Sequence, residues 1–157
     1  MKIALINENS QAAKNAMICE TLKKLGYRLP KYPLILSPHK ITVYGLSDLN
    51  IDEVDVIEDG NTYSDNALIK AKAYQKMINK PIIADDSGLE VSSLEGKPGI
   101  HSARFAKSMD GHENAMNYII ENCKKKNDFN AQFICSIILV NEEDKPLLFQ
   151  ANVEGKI

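Results

Sequence analysis

The chain carries almost no excess charge of either sign. Its 19 lysines and arginines face 21 aspartates and glutamates, a formal net charge of −2, which excludes bulk attraction to nucleic acid or to an anionic membrane. Any phosphate it binds must be gripped locally. Cysteine is scarce and odd in number: Cys19, Cys123 and Cys135 lack the paired spacing of a zinc site or a disulfide framework, so a reducing compartment is expected. His39, His101 and His112 have no partner at metal-ligand spacing. No apolar run approaches the length of a bilayer span, and the start Met1-Lys-Ile-Ala-Leu-Ile-Asn7 turns polar too soon for a signal peptide; a cytoplasmic protein is the expectation. Repeats and low-complexity segments are lacking as well. What remains is a 157-residue chain, 44% hydrophobic and 25% charged, which fits one domain across 1–157 with enough length for a real core.

The most informative stretch runs from Pro81 to Arg104. Ile82-Ile83-Ala84 is a short apolar run of the kind that ends a buried strand, with Asp85 and Asp86 expected where the strand stops and Ser87-Gly88 supplying a turn. Adjacent residues on an extended chain point to opposite faces, so only one of the two carboxylates aims into a given site. The pair offers hard oxygen ligands for Mg²⁺ and a proton acceptor, and the glycine turn offers backbone N–H groups for phosphate oxygens. The same Asp-Asp-Ser-Gly can equally do no more than satisfy its own turn.

Along the rest of the chain the pattern alternates between strand and helix. Ile3 to Ile6 reads as a strand, and Ala12 to Leu22 follows helical spacing. The loop Asn7 to Gln11 between them is a candidate anion site at a helix start, although it contains no glycine. Pro30, Pro33 and Pro38 break the following segment into a connector or an edge. Ile41 to Tyr44 reads as a strand, Leu46 to Leu49 as a single helical turn, and Asp52 to Asp59 as a mostly solvated acidic run. Thr62-Tyr63-Ser64-Asp65 has the form of a capping box and predicts a helix from about Tyr63 to Ile78. Asn66 and Lys70, four residues apart, share a face of its first two turns, which suits a phosphate but also an ordinary exposed lysine. Arg104 can meet a phosphate or a base, or can pin its loop to a carboxylate. Asp110 can cap a helix running through Ala115 and Ile119 to Lys124-Lys125-Lys126. Ala131 to Val140 and Pro146 to Val153 read as an antiparallel hairpin at the centre of the sheet. The expected fold class is α/β, a mixed central sheet flanked by helices.

Three segments, Glu58-Asp-Gly-Asn-Thr-Tyr-Ser-Asp-Asn-Ala-Leu-Ile-Lys70, Ile83-Ala-Asp-Asp-Ser-Gly-Leu-Glu-Val91 and Gly96-Lys-Pro-Gly-Ile-His-Ser-Ala-Arg104-Phe-Ala, together resemble the Ham1/inosine triphosphate pyrophosphatase family. The likeness covers roughly Ile41 to Ile157. It implies an elongated ITPase-like (Maf/Ham1) fold that usually dimerises, and Mg²⁺-dependent cleavage of dITP, ITP or XTP to the monophosphate and pyrophosphate. By motif position it implies that Asp86 is the proton acceptor and a metal ligand, Glu58 a second Mg²⁺ ligand and Ser87 a substrate contact, with Asn66, Lys70 and Arg104 in the substrate and phosphate surroundings. Two departures stand out. The family's opening Thr-x-Asn-x-x-Lys loop is not reproduced by Asn7-Glu-Asn-Ser-Gln-Ala-Ala-Lys14, so Lys14 is a displaced equivalent at best and 1–27 reads as a divergent opening. That opening resembles instead the start of the ribose-5-phosphate isomerase B group. After Asn152-Val-Glu-Gly-Lys-Ile157 the family's Gly-Phe-Gly-Tyr-Asp-Pro segment and its late Lys and Ser-His-Arg residues are absent, so the domain is expected to be incomplete at its C-terminus. An inactive or partner-dependent nucleotide-binding remnant is the alternative expectation to an enzyme.

Overall fold

The structure is a computed structural model and describes residues 2–6, 42–141 and 145–157. The expected helix from Ala12 to Leu22, the loop at Asn7 to Gln11, Lys14, and the proline-rich connector lie outside the described residues. The elements in chain order are β1 (Lys2–Ile6), β2 (Thr42–Tyr44), α1 (Tyr63–Gln75), β3 (Ile82–Val91), α2 (Ser102–Ser108), α3 (His112–Lys126), β4 (Asn130–Val140) and β5 (Leu147–Lys156), with single 3₁₀ turns at Ser47–Leu49, Ser92–Leu94 and Gly99–His101. The strands form one sheet in the order β2-β1-β3-β4-β5. β1 pairs in parallel with β2 (Ala4 opposite Tyr44) and with β3 (Ala4 opposite Ile82, Ile6 opposite Ala84).

β4 and β5 are antiparallel, because their bonds run in opposite senses along the two strands: Ser136 reaches Gln150, Asn152 reaches Gln132, and the Ile157 N–H donates to the Phe129 carbonyl. The sheet is therefore mixed, as expected, but of this pair only β4 is internal. β5 is the edge, and all ten of its positions are exposed. An alternating strand reads the same in the middle of a sheet and at its rim, because the side-chain period carries no information about the number of neighbours.

Two compact units divide the chain. The first comprises 1–58, 68–84 and 138–147, the second 59–67, 85–137 and 148–157. In the first, Leu46, Ala71, Tyr74, Ile78, Ile82, Ala84, Ile138 and Val140 are buried, and the Val54 N–H donates to the Tyr74 hydroxyl at 2.9 Å. In the second, Val91, Ile119 and Cys123 form a buried cluster, with Leu89, Leu94, Phe105, Phe129 and Ala131 packed on it. α3 thus covers the end of β3 with the apolar stripe that its 3.6-residue period provides.

Two helix boundaries differ from expectation. α1 stops at Gln75 rather than Ile78, closing through N–H groups of Met77 and Ile78 on the Tyr74 carbonyl. Asp110 does not cap α3: it sits at φ 55°, and Gly111 occupies the N-cap without a side-chain bond. The exit of α3 is a left-handed Asn127, and the Asp128 N–H returns to the Cys123 carbonyl, a use of asparagine where glycine is commoner.

Candidate active site

The expected turn at Asp85-Asp86-Ser87-Gly88 is not there. β3 runs straight through it for ten residues, so the free N–H groups that a glycine turn would offer to phosphate are not supplied at this point. Tertiary packing explains the difference. Leu89 and Val91 belong to the α3 cluster, which holds the chain extended, and Gly88 serves close approach instead of a turn. A Cβ built there would collide with the Gly99 carbonyl oxygen and lie 2.9 Å from Ser102 Oγ. Ser102 ties that loop down, accepting from the Leu89 N–H at 3.0 Å and donating to the Gly99 carbonyl at 2.6 Å.

Because the strand persists, its alternation decides between the two carboxylates. Ile82, Ala84, Asp86 and Gly88 are buried and the positions between them are only half-buried. Asp86 is 9% exposed, whereas Asp85 and Ser87 fall on the opposite side of the strand.

Within the second unit, the first turn of α1 meets this face of β3. The capping box forms as its sequence predicts: the Asp65 N–H donates to Thr62 Oγ1 and the Thr62 N–H to Asp65 Oδ2, both at 3.1 Å. The helix start is thereby fixed, and Tyr63 and Asn66, three residues apart, emerge on one face. Asn66 has no solvent exposure. Its Oδ1 accepts the Gly60 N–H at 2.9 Å and its Nδ2 donates to Asp86 Oδ2 at 3.3 Å. A backbone N–H can only donate, so the amide must present its oxygen to Gly60 and its nitrogen to the carboxylate. Gly60 also has to be glycine-like, since a Cβ there would lie 2.7 Å from Asn66 Oδ1.

Tyr63 donates to Glu90 Oε1 at 3.2 Å, Gln132 Nε2 donates to Glu90 Oε2 at 2.9 Å, and Gln132 Oε1 accepts from Asn152 at 3.0 Å. Burial, and then the charge and hydrogen bond of Glu90 with a smaller contribution from Asp86, push the Tyr63 hydroxyl well above its ordinary range. Tyr63 is a fixed proton donor here. A polar cavity of about 400 Å³ opens beside this chain of bonds, lined among others by Glu90, Asn130, Gln132 and Glu154.

In the first unit, Lys70 Nζ lies 3.4 Å from Glu58 Oε1, with side chains 15% and 35% exposed. This is an incompletely desolvated pair, worth little to stability, and Lys70 follows Asn66 by one turn of α1. Arg104 is exposed on α2. The structure thus brings together Asn66 with Asp86, and Lys70 with Glu58. Among the described residues no group of three or more His, Cys, Asp or Glu could hold a metal ion by itself. Asp86 in the second unit and Glu58 in the first are each hard oxygen donors of the kind that bind Mg²⁺ together with substrate phosphates, and to that extent the chemistry of each fits.

Gly60, Tyr63, Glu90 and Gln132 carry this geometry without having stood out in the sequence. A signal for two of them exists: Tyr63 precedes Asn66 by one helical turn, and Glu90 follows Asp86 by two strand periods, so each pair shares a face.

The Ham1 family model matches residues 21–157. Relatives named dITP/XTP pyrophosphatase from Staphylococcus aureus (strain MW2) and Staphylococcus epidermidis (strain ATCC 12228) are each 40% identical over 115 residues, 73% of this chain and 58% of their own length. The chain therefore spans little more than half the length of these curated relatives. Among solved structures, the Staphylococcus aureus Ham1 protein superposes with a TM-score of 0.71 at 30% identity, covering 100% of this chain and 72% of its own. A HAM1 protein from Coxiella burnetii gives 0.69 at 29% identity, with 100% of this chain and 73% of that one covered. The motifs that first suggested the resemblance sit on α1, β3 and the loop clamped against Gly88, and with a model match over most of its length this chain belongs to the Ham1 family.

Proposed function

We propose that the chain hydrolyses non-standard purine nucleoside triphosphates, dITP, ITP or XTP, to the nucleoside monophosphate and pyrophosphate with Mg²⁺. Asp86 is the proton acceptor for the attacking water and a metal ligand, and Glu58 is the second ligand. Lys70 and Arg104 contact the substrate and take phosphate charge; Ser87, whose side chain lies on the face of β3 opposite Asp86, contacts the substrate through its backbone; Lys14, outside the described residues, completes the phosphate side. The observation that carries this reading is the buried Asp86 carboxylate, held at the family's motif position by a buried carboxamide. A carboxylate kept in one orientation suits proton transfer from a water, which depends on geometry before pKa. Bound Mg²⁺ would supply neutralisation of phosphate charge in the transition state.

Among the described residues no helix is long and apolar enough to cross a membrane; we place the protein in the cytoplasm and expect a homodimer, to be checked by light scattering. The main test is pyrophosphate release from dITP, XTP and ATP with Mg²⁺, run beside Asp86→Asn. Turnover on the order of 1–10³ s⁻¹ that falls at least about a thousandfold in Asp86→Asn supports the reading. Turnover that survives the substitution removes Asp86 from its role. Tight binding of dITP with no pyrophosphate release would favour the nucleotide-binding alternative.

A further inference from the structure

Asn66 occupies a position where a phosphate contact is expected, yet its carboxamide faces no solvent and each of its two polar atoms already has a partner inside the protein. It is wholly buried, its oxygen is taken by Gly60 and its nitrogen by Asp86. Burying a carboxamide is unfavourable unless its bonds are made inside the protein, and here both ends are matched. We infer that Asn66 is a positioning residue: it acts on the proposed reaction through Asp86, without touching the nucleotide. This inference rests on the proposed role of Asp86.

The physical reason lies in the freedom of an aspartate. Its terminal torsion joins an sp³ carbon to a planar carboxylate and is broad, so a strand position alone leaves the plane of the carboxylate loosely set. A donor delivered to Oδ2 from the first turn of α1, itself fixed by the Thr62–Asp65 capping box, selects one plane. Only a side chain with an acceptor and a donor on one short planar group can serve both neighbours. Aspartate would keep the Gly60 bond but set a second carboxylate oxygen against Asp86. Glutamine is one methylene too long for a buried site that is already full, and serine reaches neither partner.

The experiment uses the full chain with Asn66→Asp and Asn66→Ser, and Thr62→Val as a control that loosens the helix start without touching Asp86. Three quantities are measured: kcat and KM for dITP with Mg²⁺, hydrogen exchange of the Gly60 amide, and the Asp86 side-chain ¹³C resonance without nucleotide. The expected result for Asn66→Ser is a kcat lower by about 10–100-fold, the scale of a misplaced catalytic group, with KM within about twofold. It also loses Gly60 protection and shifts the Asp86 resonance. Asn66→Asp keeps Gly60 protected and still loses kcat, which separates orientation of the carboxylate from general loosening. Thr62→Val lowers the melting temperature and lowers kcat by less than Asn66→Ser does, because the Asn66 donor to Asp86 Oδ2 is kept.

A tenfold rise in KM with kcat unchanged in Asn66→Ser would make Asn66 a substrate contact and overturn the inference. So would a wild-type kcat in Asn66→Asp, or a loss of kcat in Thr62→Val as large as in Asn66→Ser. Should the wild-type chain release no pyrophosphate, the proposed function fails by itself. The inference then stands or falls on the other two measurements, and an Asp86 resonance unmoved in Asn66→Ser overturns it.

Discussion

Replacing Tyr63 by phenylalanine tests the polar contacts around Glu90 in a way that pH makes specific. The hydroxyl is buried and donates to Glu90 Oε1 at 3.2 Å, while Gln132 holds the other carboxylate oxygen. A hydrogen bond to a charged group contributes about 1.5–3 kcal/mol. Because Glu90 is only half-buried and water can replace part of what is lost, about 1–2 kcal/mol is the expected cost of Tyr63→Phe at pH 8. The second part of the prediction follows from proton linkage. Burial and Glu90 raise the pKa of Tyr63 above the value it has in the unfolded chain, which is about 10. A raised pKa means that the folded state holds its proton more tightly, so this stabilisation is fully present below pH 10 and is lost as pH climbs and the unfolded chain ionises alone. One pH unit above the unfolded value the loss amounts to about 1.4 kcal/mol. Phenylalanine has no proton to lose. Urea unfolding of both proteins between pH 8 and pH 11 should therefore show the wild type's advantage shrinking by about 1.4 kcal/mol and vanishing near the top of the range. The other tyrosines and the lysines titrate in both proteins and cancel in the difference. A gap that stays constant across that range would refute the claim that Tyr63 is a buried donor to a carboxylate.

Three further outcomes are expected. Gly88→Ala drives a methyl group into the Gly99 carbonyl and against Ser102 Oγ; backbone cannot move aside as a flexible side-chain tip can, so a loss of about 1–3 kcal/mol should appear in urea unfolding, and a variant as stable as the wild type would disprove the close approach. Thr62→Ala removes the acceptor of the Asp65 N–H and should cost about 1 kcal/mol, with faster amide exchange confined to the first turn of α1; unchanged exchange there would mean the box does not fix the helix start. Lys70→Gln breaks a partly solvated pair with Glu58 and should leave stability within about 0.5 kcal/mol while raising the KM for dITP about tenfold, equivalent to about 1.4 kcal/mol. A KM within twofold would remove Lys70 from the phosphate contacts.

What the sequence showed and what it hid divide along one physical line. The start of α1 was legible because a capping box is local: Thr62 and Asp65 need only each other and their own backbone. The course of β3 was not, because Asp-Asp-Ser-Gly has strong turn chemistry of its own, and only the packing of Leu89 and Val91 under α3, far along the chain, overrides it. Asp110 misled for the same reason in reverse: a good capping residue was present, but the chain enters α3 through Gly111 and leaves Asp110 in a left-handed conformation. The burial of Asn66 was equally hidden, since a polar residue in the first turn of a helix ordinarily faces water. The unexpected course of β3 and the face that Asp86 takes are nevertheless connected. The period-two argument that only one of two adjacent carboxylates can face a given site needs an extended chain, and the expected turn would have weakened it by letting the backbone rotate between them. With the strand running on through Gly88 the argument holds fully: Asp86 shares its face with Ala84 and Gly88, while Tyr63 and Asn66 on α1 reach Glu90 and Asp86 on β3. The strand that replaced the turn is thus the reason Asp86, and not Asp85, meets the carboxamide of Asn66.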